Sequence, residues 1–437
     1  MMKKTVLFLL LCMAAAPGLS QTLTLDECRA AAEEHNRTLK TSRLDLDAAL
    51  QARRDLITRL AAEQTDAYRL FHGTVEGQPG LTVDRYGSLI LVQSFHGALA
   101  PAQLDALQAF YASAFPGLDL VYNDRSPSNS RIANPLPADQ QPMAESRREF
   151  TEMGVRYWVQ ARHGGQDPWL FLDLRAARRR IMAEAPGKSL LNVFAYTCGV
   201  GIAAAKAGAR HVVNVDFAES SLAVGKDNAK LNELPIRVRF IKSDAFAALR
   251  QLSGIGQPKL VRGKRMPPFP ELEKHSFDLV FLDPPRYAKS AFGIVDLVHD
   301  YPALFKPALM CTAEGGTLVC CNNVAQVDRQ AWADQLERSA KKAGRTIREM
   351  EWIPPEEDFP SPDGNPPLKT LLLRVFPKDK HAMTMGIWAM TTLTAPIFVA
   401  VGVIKSVSLT EFSLAFPAGL AACIGATAGK PHGKSET

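Results

Sequence analysis

Short apolar runs and longer segments with helical spacing alternate along the middle of the chain from residue 189 onward. An apolar run of this length is typical of a buried strand, and spacing of apolar positions by three and four is typical of a helix. The predicted strands are Ser189–Phe194, His211–Asp216, Arg237–Ile241, Phe277–Leu282 and Gly316–Cys321. Strands that alternate with helices are joined by right-handed crossovers, so we predict a mostly parallel, doubly wound α/β sheet.

The end of this region follows a different rule. Two further predicted strands, Thr346–Ile353 and Leu368–Phe376, are separated by a proline-rich loop and no helix. Strands joined without a crossover helix pair in opposite directions. The sequence therefore predicts a Rossmann-like sheet of seven strands, closed at one edge by an antiparallel hairpin.

A smaller folded region precedes the sheet. Leu81–Asp84 and Leu89–Val92 are predicted strands because glycine-containing turn pairs follow or precede each of them, and a helix is predicted over Pro101–Phe115. We predict a small α+β accessory domain over residues 54–140, followed by the main domain over residues 141–378.

The two ends of the chain differ from its middle. Residues 1–21 begin with Lys3 and Lys4, continue with an apolar run and end in small residues, which is the order of a signal peptide. Residues 22–53 have the spacing of an amphipathic helix, and this stretch resembles the start of a TolC-type outer-membrane efflux factor. The alternative is an amphipathic helix with no assigned role.

The hydrophobic tail, residues 379–437, contains two uncharged stretches. One is slightly longer and the other slightly shorter than the ~20 residues of a transmembrane helix. Its sequence Met383–Met390 resembles a fragment of a multidrug transporter of the major facilitator type. Both ends thus resemble pieces of unrelated membrane-associated proteins, and a fused reading frame explains this mosaic more simply than a single function does.

Composition and charge narrow the function of the middle only slightly. The chain has 46% apolar and 22% charged residues and a net charge of +6, a modest excess that suits a polyanionic partner. The 7 cysteines follow neither disulfide nor zinc-ligand spacing, so we predict no metal site. A reduced compartment, the cytoplasm, is expected for the enzyme domain, whereas the two ends conflict with this location.

The strongest chemical signals lie where the predicted strands end. The first strand runs into a turn with Gly199 and Gly201, which let the backbone come close to a ligand at a helix N-terminus. The second strand ends in Asp216, which could accept hydrogen bonds from two ribose hydroxyls. Asp244, followed by Phe246, comes after the third strand and could accept from an adenine amine. Each acid alone is more often an N-cap or a solvated residue.

The fourth strand end decides between two cofactors that the glycine turn would accept, NAD and S-adenosylmethionine. There Asp283 is followed by Pro284 and Pro285, which lack N–H donors and fix the backbone. A pocket lined with acceptors suits methyl transfer to a nucleobase amine or ring carbon, whereas hydride transfer has no use for it. The motif therefore favours S-adenosylmethionine and assigns Asp283, Pro284 and Pro285 to catalysis.

With these motifs the region from Ala67 to Phe376 resembles the bacterial 23S rRNA methyltransferases of the cytosine-C5 type. The resemblance also includes the segments Pro79–Gly87 and Phe171–Arg175, the second of which lies against the cofactor in that family. It implies a class I methyltransferase that modifies a base of RNA. The cofactor residues that the resemblance implies are Phe171, Asp173, Arg175, Phe194, Tyr196, Cys198, Gly199, Gly201, Asp216, Asp244 and Phe246.

Two departures from the family bear on the substrate. The family usually begins with an RNA-binding PUA domain, and here the signal-like and helical segments take its place. Methylation at cytosine C5 needs a cysteine thiolate that first adds to C6, and Cys320 or Cys321 is the candidate. However, Asn322 and Asn323 follow, as in relatives that methylate guanine at N2 without a thiolate. A buried cysteine at a strand end is also commonly a packing residue, so the sequence leaves the target base open.

Contacts to RNA are predicted at three places. Arg286 and Tyr287 follow the catalytic motif, with Tyr287 as a candidate for stacking on the base. Lys264 and Arg265 lie in a basic loop before the fourth strand, and Arg175, Arg178, Arg179 and Arg180 lie on or beside one helix. Both clusters could bind phosphates, or they could be solvated surface charge.

Two other functions compete with an RNA methyltransferase. An exported or envelope protein of efflux type, with a non-catalytic middle, would explain the ends and leave the strand-end motifs without a purpose. A methyltransferase that acts on a small molecule would share the cofactor site and would lack RNA contacts.

Overall fold

A seven-stranded sheet forms the centre of the structure, a computed structural model. It describes residues 45–377 except 128–135, 137, 139, 164–166, 235–237, 257–259, 262–263 and 291–292. The strands are β1 (Ala67–His72), β2 (Leu81–Tyr86), β3 (Leu89–Ser94), β4 (Asp119–Asp124), β5 (Arg148–Glu152), β6 (Val155–Val159), β7 (Ser189–Val193), β8 (His211–Asp216), β9 (Val238–Lys242), β10 (Leu260–Val261), β11 (Lys264–Arg265), β12 (Phe277–Leu282), β13 (Tyr287–Ser290), β14 (Gly293–Asp296), β15 (Thr312–Asn322), β16 (Arg345–Ile353) and β17 (Lys369–Pro377). The helices are α1 (Arg54–Ala62), α2 (Pro101–Ala114), α3 (Gln141–Glu145), α4 (Arg175–Glu184), α5 (Gly199–Lys206), α6 (Glu219–Leu231), α7 (Ala245–Leu252), α8 (Pro302–Cys311) and α9 (Arg329–Lys342).

The order of strands in the large sheet is β16-β17-β15-β12-β7-β8-β9. The five strands from β15 to β9 are parallel, and β17 runs antiparallel to both β15 and β16. The predicted fold is thus confirmed, including the closing hairpin. The predicted strand bounds are correct to within one residue except in β15, which begins at Thr312 and not at Gly316.

The sheet is buried on both faces, which explains why its strands are nearly continuous apolar runs. Side chains alternate between two cores along each strand, as the two-residue period of a strand requires. Val280 and Leu282 face one core, whereas Leu279 and Phe281 face the other. Two of the helices that cover the faces, α7 and α9, start at an aspartate N-cap. At the start of α9, Asp328 accepts a hydrogen bond from the amide of Ala331 (2.7 Å).

The predicted accessory region forms a four-stranded sheet in the order β1-β2-β3-β4, with β3 and β4 parallel and joined through α2. Strands β1 and β4 are additional to the two that we predicted. Leu107 and Phe110 of α2 share an apolar core with Val83 and Val92 of this sheet.

A second hairpin, β5–β6, lies between the two sheets and was not predicted. Its backbone bonds to two asparagines of the α6 region: the amides of Arg156 and Trp158 donate to Oδ1 of Asn232 and Asn228, both at 2.9 Å. The hydroxyl of Tyr157 donates to the carbonyl of Gly199 at 3.0 Å. The hairpin therefore supports the turn after β7 from outside.

The predictions for the ends of the chain, a signal-like segment at 1–21, a helix at 22–53 and a hydrophobic tail at 379–437, lie outside the described residues. The exception is residues 45–53, of which 45–52 are helical and Arg53 is in a turn. Within the described part of the chain, no helix has both the length and the apolar character needed to cross a membrane.

Candidate active site

A pocket of about 530 Å³ opens where β7, β8 and β12 end, at their carboxyl edge. This is the position that open parallel sheets use for ligands. Nine of the predicted site residues line it: Phe171, Phe194, Tyr196, Gly199, Asp216, Asp283, Pro284, Pro285 and Arg286. A larger cavity, about 880 Å³, lies at β2, β3 and α2 and contains no predicted site residue. The pocket at the strand ends is therefore the candidate active site.

The turn after β7 has a backbone conformation that its sequence does not suggest. Phe194, Tyr196 and Cys198 all have positive φ, at 59°, 50° and 64°, although none is glycine. Gly201 is needed for a different reason, because a Cβ there would lie 2.1 Å from Oδ1 of Asn214 on β8. The sharp turn thus comes from non-glycine residues, and Gly201, which does not line the pocket, allows α5 to pack closely on the sheet.

Asp216 is a buried carboxylate at the end of β8, only 8% exposed. Its Oδ2 accepts from the amide of Tyr196 and its Oδ1 from the amide of Ala218, both at 2.8 Å. Burial raises the pKa of Asp216, and the backbone donors partly oppose that shift. The two bonds fix the orientation of the carboxylate at the rim of the pocket.

A cover segment, residues 167–174, closes one side of the pocket. The hydroxyl of Tyr196 donates to the carbonyl of Asp167 at 3.0 Å, and the hydroxyl of Thr197 donates to the carbonyl of Trp169. The rings of Phe171 and Tyr196 lie with their centroids 5.5 Å apart. The turn after β7 and the cover segment are therefore held together as one wall.

Asp283 differs from Asp216 because no described residue donates a hydrogen bond to its carboxylate. It is half-buried and faces the pocket at the end of β12. Burial and the charge of Asp173 raise the pKa of Asp283 to about 7, and the charge of Arg178 opposes them. A carboxylate with such a pKa can accept a proton near neutral pH.

Besides Gly201, five residues predicted for the cofactor do not line the pocket: Asp173, Arg175, Cys198, Asp244 and Phe246. Oδ1 of Asp244 accepts from the amides of Phe246 (2.8 Å) and Ala247 (3.2 Å), so Asp244 is the N-cap of α7. Phe246 packs in the core of the sheet. The Cys198 thiol is buried against Gly225. Asp173 is half-buried behind Asp283, and burial raises its pKa.

Arg175, predicted for the cofactor from the resemblance, has a structural position. It is fully buried, donates to the carbonyl of Ala67 (2.9 Å) and forms an ion pair with Asp358. A guanidinium with these partners is sealed away from the pocket, so the structure places Arg175 between the accessory sheet and the connection from β16 to β17.

The predicted nucleophiles are also away from the pocket. Cys320 and Cys321 are fully buried on opposite faces of β15, each within one of the two cores. Burial raises the pKa of Cys320 to about 12 and that of Cys321 well above its usual range. A thiol in such surroundings stays protonated at neutral pH, which is unfavourable for nucleophilic attack.

The arginines of α4 are not a free basic surface. Arg179 pairs with Glu63 and Glu356, and Arg180 pairs with Glu184 and Glu351. Of the other predicted RNA contacts, Arg286 is exposed at the pocket and Arg265 is exposed on the short strand β11. The side chains of Lys264 and Tyr287 lie outside the described part of the structure.

Phe217 and Asn192 are among the pocket residues that the sequence analysis did not name. Phe217 is 72% exposed at the rim, directly after Asp216. Arg178, which was predicted as a phosphate contact, lines the pocket, and so does Asn323. An apolar residue directly after the strand-end acid was a signal that could have identified Phe217. Asn192 is a polar residue inside an otherwise apolar strand, which was a second signal.

A parallel sheet closed by an antiparallel hairpin, with acids after β8 and β12 around one pocket, defines a class I S-adenosylmethionine-dependent methyltransferase. The family model of the S-adenosylmethionine-dependent methyltransferases matches residues 69–374, and the chain belongs to this family. Its cofactor is thus S-adenosylmethionine and not NAD. The matched residues exclude both ends of the chain, so the efflux and transporter resemblances gain no support.

Relatives and solved structures agree with this assignment. A ribosomal RNA large subunit methyltransferase of Deinococcus radiodurans is 30% identical over 311 residues, which cover 70% of this chain and 71% of that protein. Ribosomal RNA large subunit methyltransferase I of Vibrio vulnificus (strain YJ016) is 28% identical, covering 76% and 79%. A methyltransferase structure solved with S-adenosylhomocysteine has a TM-score of 0.61 at 21% identity, covering 77% and 81%, and shows the same fold.

Proposed function

We propose that the protein transfers a methyl group from S-adenosylmethionine to a base of large-subunit ribosomal RNA, 23S rRNA. The observation that carries the proposal is Asp283, a carboxylate that faces the pocket of a methyltransferase without a hydrogen-bond donor from the described residues. The names of the relatives supply the RNA, and the exposed Arg286 beside Asp283 offers a phosphate contact. Ribosomal RNA is a cytoplasmic substrate, so we also propose the cytoplasm as the site of action.

The residues of the pocket suit the cofactor. Asp216 presents fixed acceptor oxygens for the ribose hydroxyls, and Phe217 offers an exposed ring for the adenine face. Asp244 remains a proposed contact of the adenine amine, although one of its oxygens caps α7. Phe171 and Tyr196 place two aromatic rings, with centroids 5.5 Å apart, in the wall of the pocket.

The protein supplies orientation and a proton acceptor, because the cofactor when bound supplies an activated methyl group. The carboxylate of Asp283 would accept a hydrogen bond from the target amine and take its proton as the bond from nitrogen to the methyl carbon forms and the bond from that carbon to sulfur breaks, which leaves S-adenosylhomocysteine. Pro284 and Pro285 line the pocket without N–H groups and keep the strand end rigid.

We favour an exocyclic amine, such as N2 of guanine, over cytosine C5 as the methyl acceptor. C5 methylation needs a thiolate in contact with the base. All four cysteines in the described part of the chain are buried, and neither Cys320 nor Cys321 lines the pocket. An amine needs only an acceptor for its proton, which Asp283 provides.

The test is methylation of protein-free 23S rRNA made by transcription, followed by digestion and mass spectrometry of the nucleosides. We expect N2-methylguanosine that depends on S-adenosylmethionine and disappears in the Asp283→Asn variant. Detection of 5-methylcytidine would overturn the amine proposal and leave the RNA proposal standing. Binding of S-adenosylmethionine without methylation of any RNA would overturn the RNA substrate.

A further inference from the structure

Arg178 is a buried charge at the floor of the pocket. It is 1% exposed, and its partner Glu152 of the β5–β6 hairpin is 0% exposed. Nε of Arg178 donates to one carboxylate oxygen of Glu152 (2.5 Å) and Nη2 to the other (2.8 Å), while Nη2 also donates to the carbonyl of Phe171 (2.9 Å). A fully buried ion pair has a large desolvation cost, so a second role for this arginine is worth seeking.

The third nitrogen of this guanidinium is the one that the protein leaves available. Nη1 of Arg178 donates to no acceptor among the described residues. It is also not one of the side-chain atoms that are both fully buried and without a hydrogen-bond partner. Arg178 lines the pocket together with Asn192 and Asp283. Because Nε and Nη2 are held by Glu152 and Phe171, Nη1 is the nitrogen of Arg178 that remains for a ligand in the pocket.

The position of Arg178 relative to Asp216 decides which part of a ligand it meets. Asp216 is the last residue of β8 and Asp283 directly follows β12, and β7 lies between these two strands. Neighbouring strands are about 4.8 Å apart, so the two strand ends are roughly 10 Å apart. A cofactor whose ribose is at Asp216 therefore extends its methionine portion toward the β12 side, where Arg178 and Asp283 lie.

We propose that Nη1 of Arg178 holds the α-carboxylate of the methionine portion of S-adenosylmethionine. The inference rests on the proposed function, because it concerns the same pocket. The opposite charge of the guanidinium makes this a charge-assisted hydrogen bond. Glu152 is a positioning residue that fixes the guanidinium and does not touch the cofactor.

The test compares two cofactors by calorimetric titration into the full-length protein: S-adenosylmethionine and its decarboxylated form, which lacks only the carboxylate. Since hydrogen bonds to charged groups contribute most, we expect the wild type to bind S-adenosylmethionine roughly 10- to 100-fold more tightly. In the Arg178→Met/Glu152→Met double variant this ratio should fall to about 1, with affinity for the decarboxylated form changed less than about threefold.

The double variant removes both charges, because Arg178→Met alone would leave Glu152 buried without a partner. Arg179→Met is the matched control: Arg179 is the next residue of α4, is ion-paired and does not line the pocket. It should keep the wild-type ratio of affinities.

Each other outcome overturns the proposal. Equal loss of affinity for both cofactors in the double variant would mean that Arg178 only maintains the pocket. An unchanged ratio would place the carboxylate elsewhere, while equal binding of both cofactors by the wild type would show that the carboxylate is not recognised. If the wild type binds neither cofactor, the proposed function fails together with this proposal. If it binds S-adenosylmethionine but shows one of the other outcomes, only the proposal for Arg178 fails.

Discussion

Asp216 and Asp283 end two strands on either side of β7 and face the same pocket, yet their surroundings differ. Asp216 accepts two backbone hydrogen bonds that fix its oxygens, whereas no described residue donates to Asp283. Burial raises the pKa of both carboxyl groups. The difference separates two tasks: a carboxylate with fixed geometry suits binding, and one without donors keeps its basicity for a proton that arrives with the substrate.

The largest expected effect is at Asp283. Asp283→Ala should lower the rate of methyl transfer about 10³-fold, within the range for loss of a general base, and should change the Kd of S-adenosylmethionine no more than a few-fold. Single-turnover kinetics and calorimetric titration measure the two quantities. Transfer at the wild-type rate would mean that the target base does not lie at Asp283.

Asp216 should show the opposite pattern. If Asp216 binds the ribose as proposed, Asp216→Ala removes two charge-assisted contacts, and we expect cofactor affinity to fall roughly 100-fold. The rate at saturating cofactor should change much less. Calorimetric titration with residues 54–378 and with the full chain checks the effect and tests whether the ends contribute. Unchanged affinity would remove Asp216 from the cofactor site.

The comparison also predicts a pH dependence. Only the deprotonated carboxylate of Asp283 accepts a proton, so kcat/KM should rise with pH through about 7, the pKa of Asp283. The charge of Asp173 contributes to raising that pKa, and Asp173→Asn should therefore move the acidic limb to lower pH. A pH–rate profile of both proteins is the measurement. A limb that stays in place would mean that Asp173 does not act on Asp283.

The smallest effect is expected at Cys320. Cys320→Ala should leave methyl transfer within a few-fold of the wild type and lower the free energy of unfolding by roughly 1–2 kcal/mol, because a core side chain is truncated. Denaturant unfolding and the transfer assay measure these changes. Loss of transfer in a folded variant would restore the thiolate mechanism and cytosine C5 as the acceptor.

The sequence was sufficient for the fold because buried parallel strands are apolar throughout and end at recognisable residues. His211–Asp216 and Phe277–Leu282 were predicted with their observed bounds, and the acids at their ends lie in one pocket. The roles of these acids remain predictions. Pairing across the fold could not be predicted, since Glu152 lies 26 residues from Arg178 and Asp358 lies 183 residues from Arg175. A local sequence pattern does not show which residues so far apart in the chain are in contact in the fold.

Gly201 shows a related limit. We interpreted Gly199 and Gly201 as the means of a sharp turn near a ligand, but three non-glycine residues make the turn and Gly201 gives room to Asn214. A glycine in a sequence can indicate that there is no room for a side chain at that position. It does not show which neighbouring residue takes up the room. The same limit applies to Cys320, whose burial depends on helices that pack from elsewhere in the chain.

Arg175 joins three segments that are far apart in the sequence: the helix that carries it, Ala67 of the accessory sheet and Asp358 near the end of the large sheet. Separation of the two sheets would break the bond from Arg175 to Ala67 and the bond from the amide of Arg69 to Asp358, and it would open the buried ion pair to water. The accessory sheet and the methyltransferase sheet should therefore melt in a single calorimetric transition.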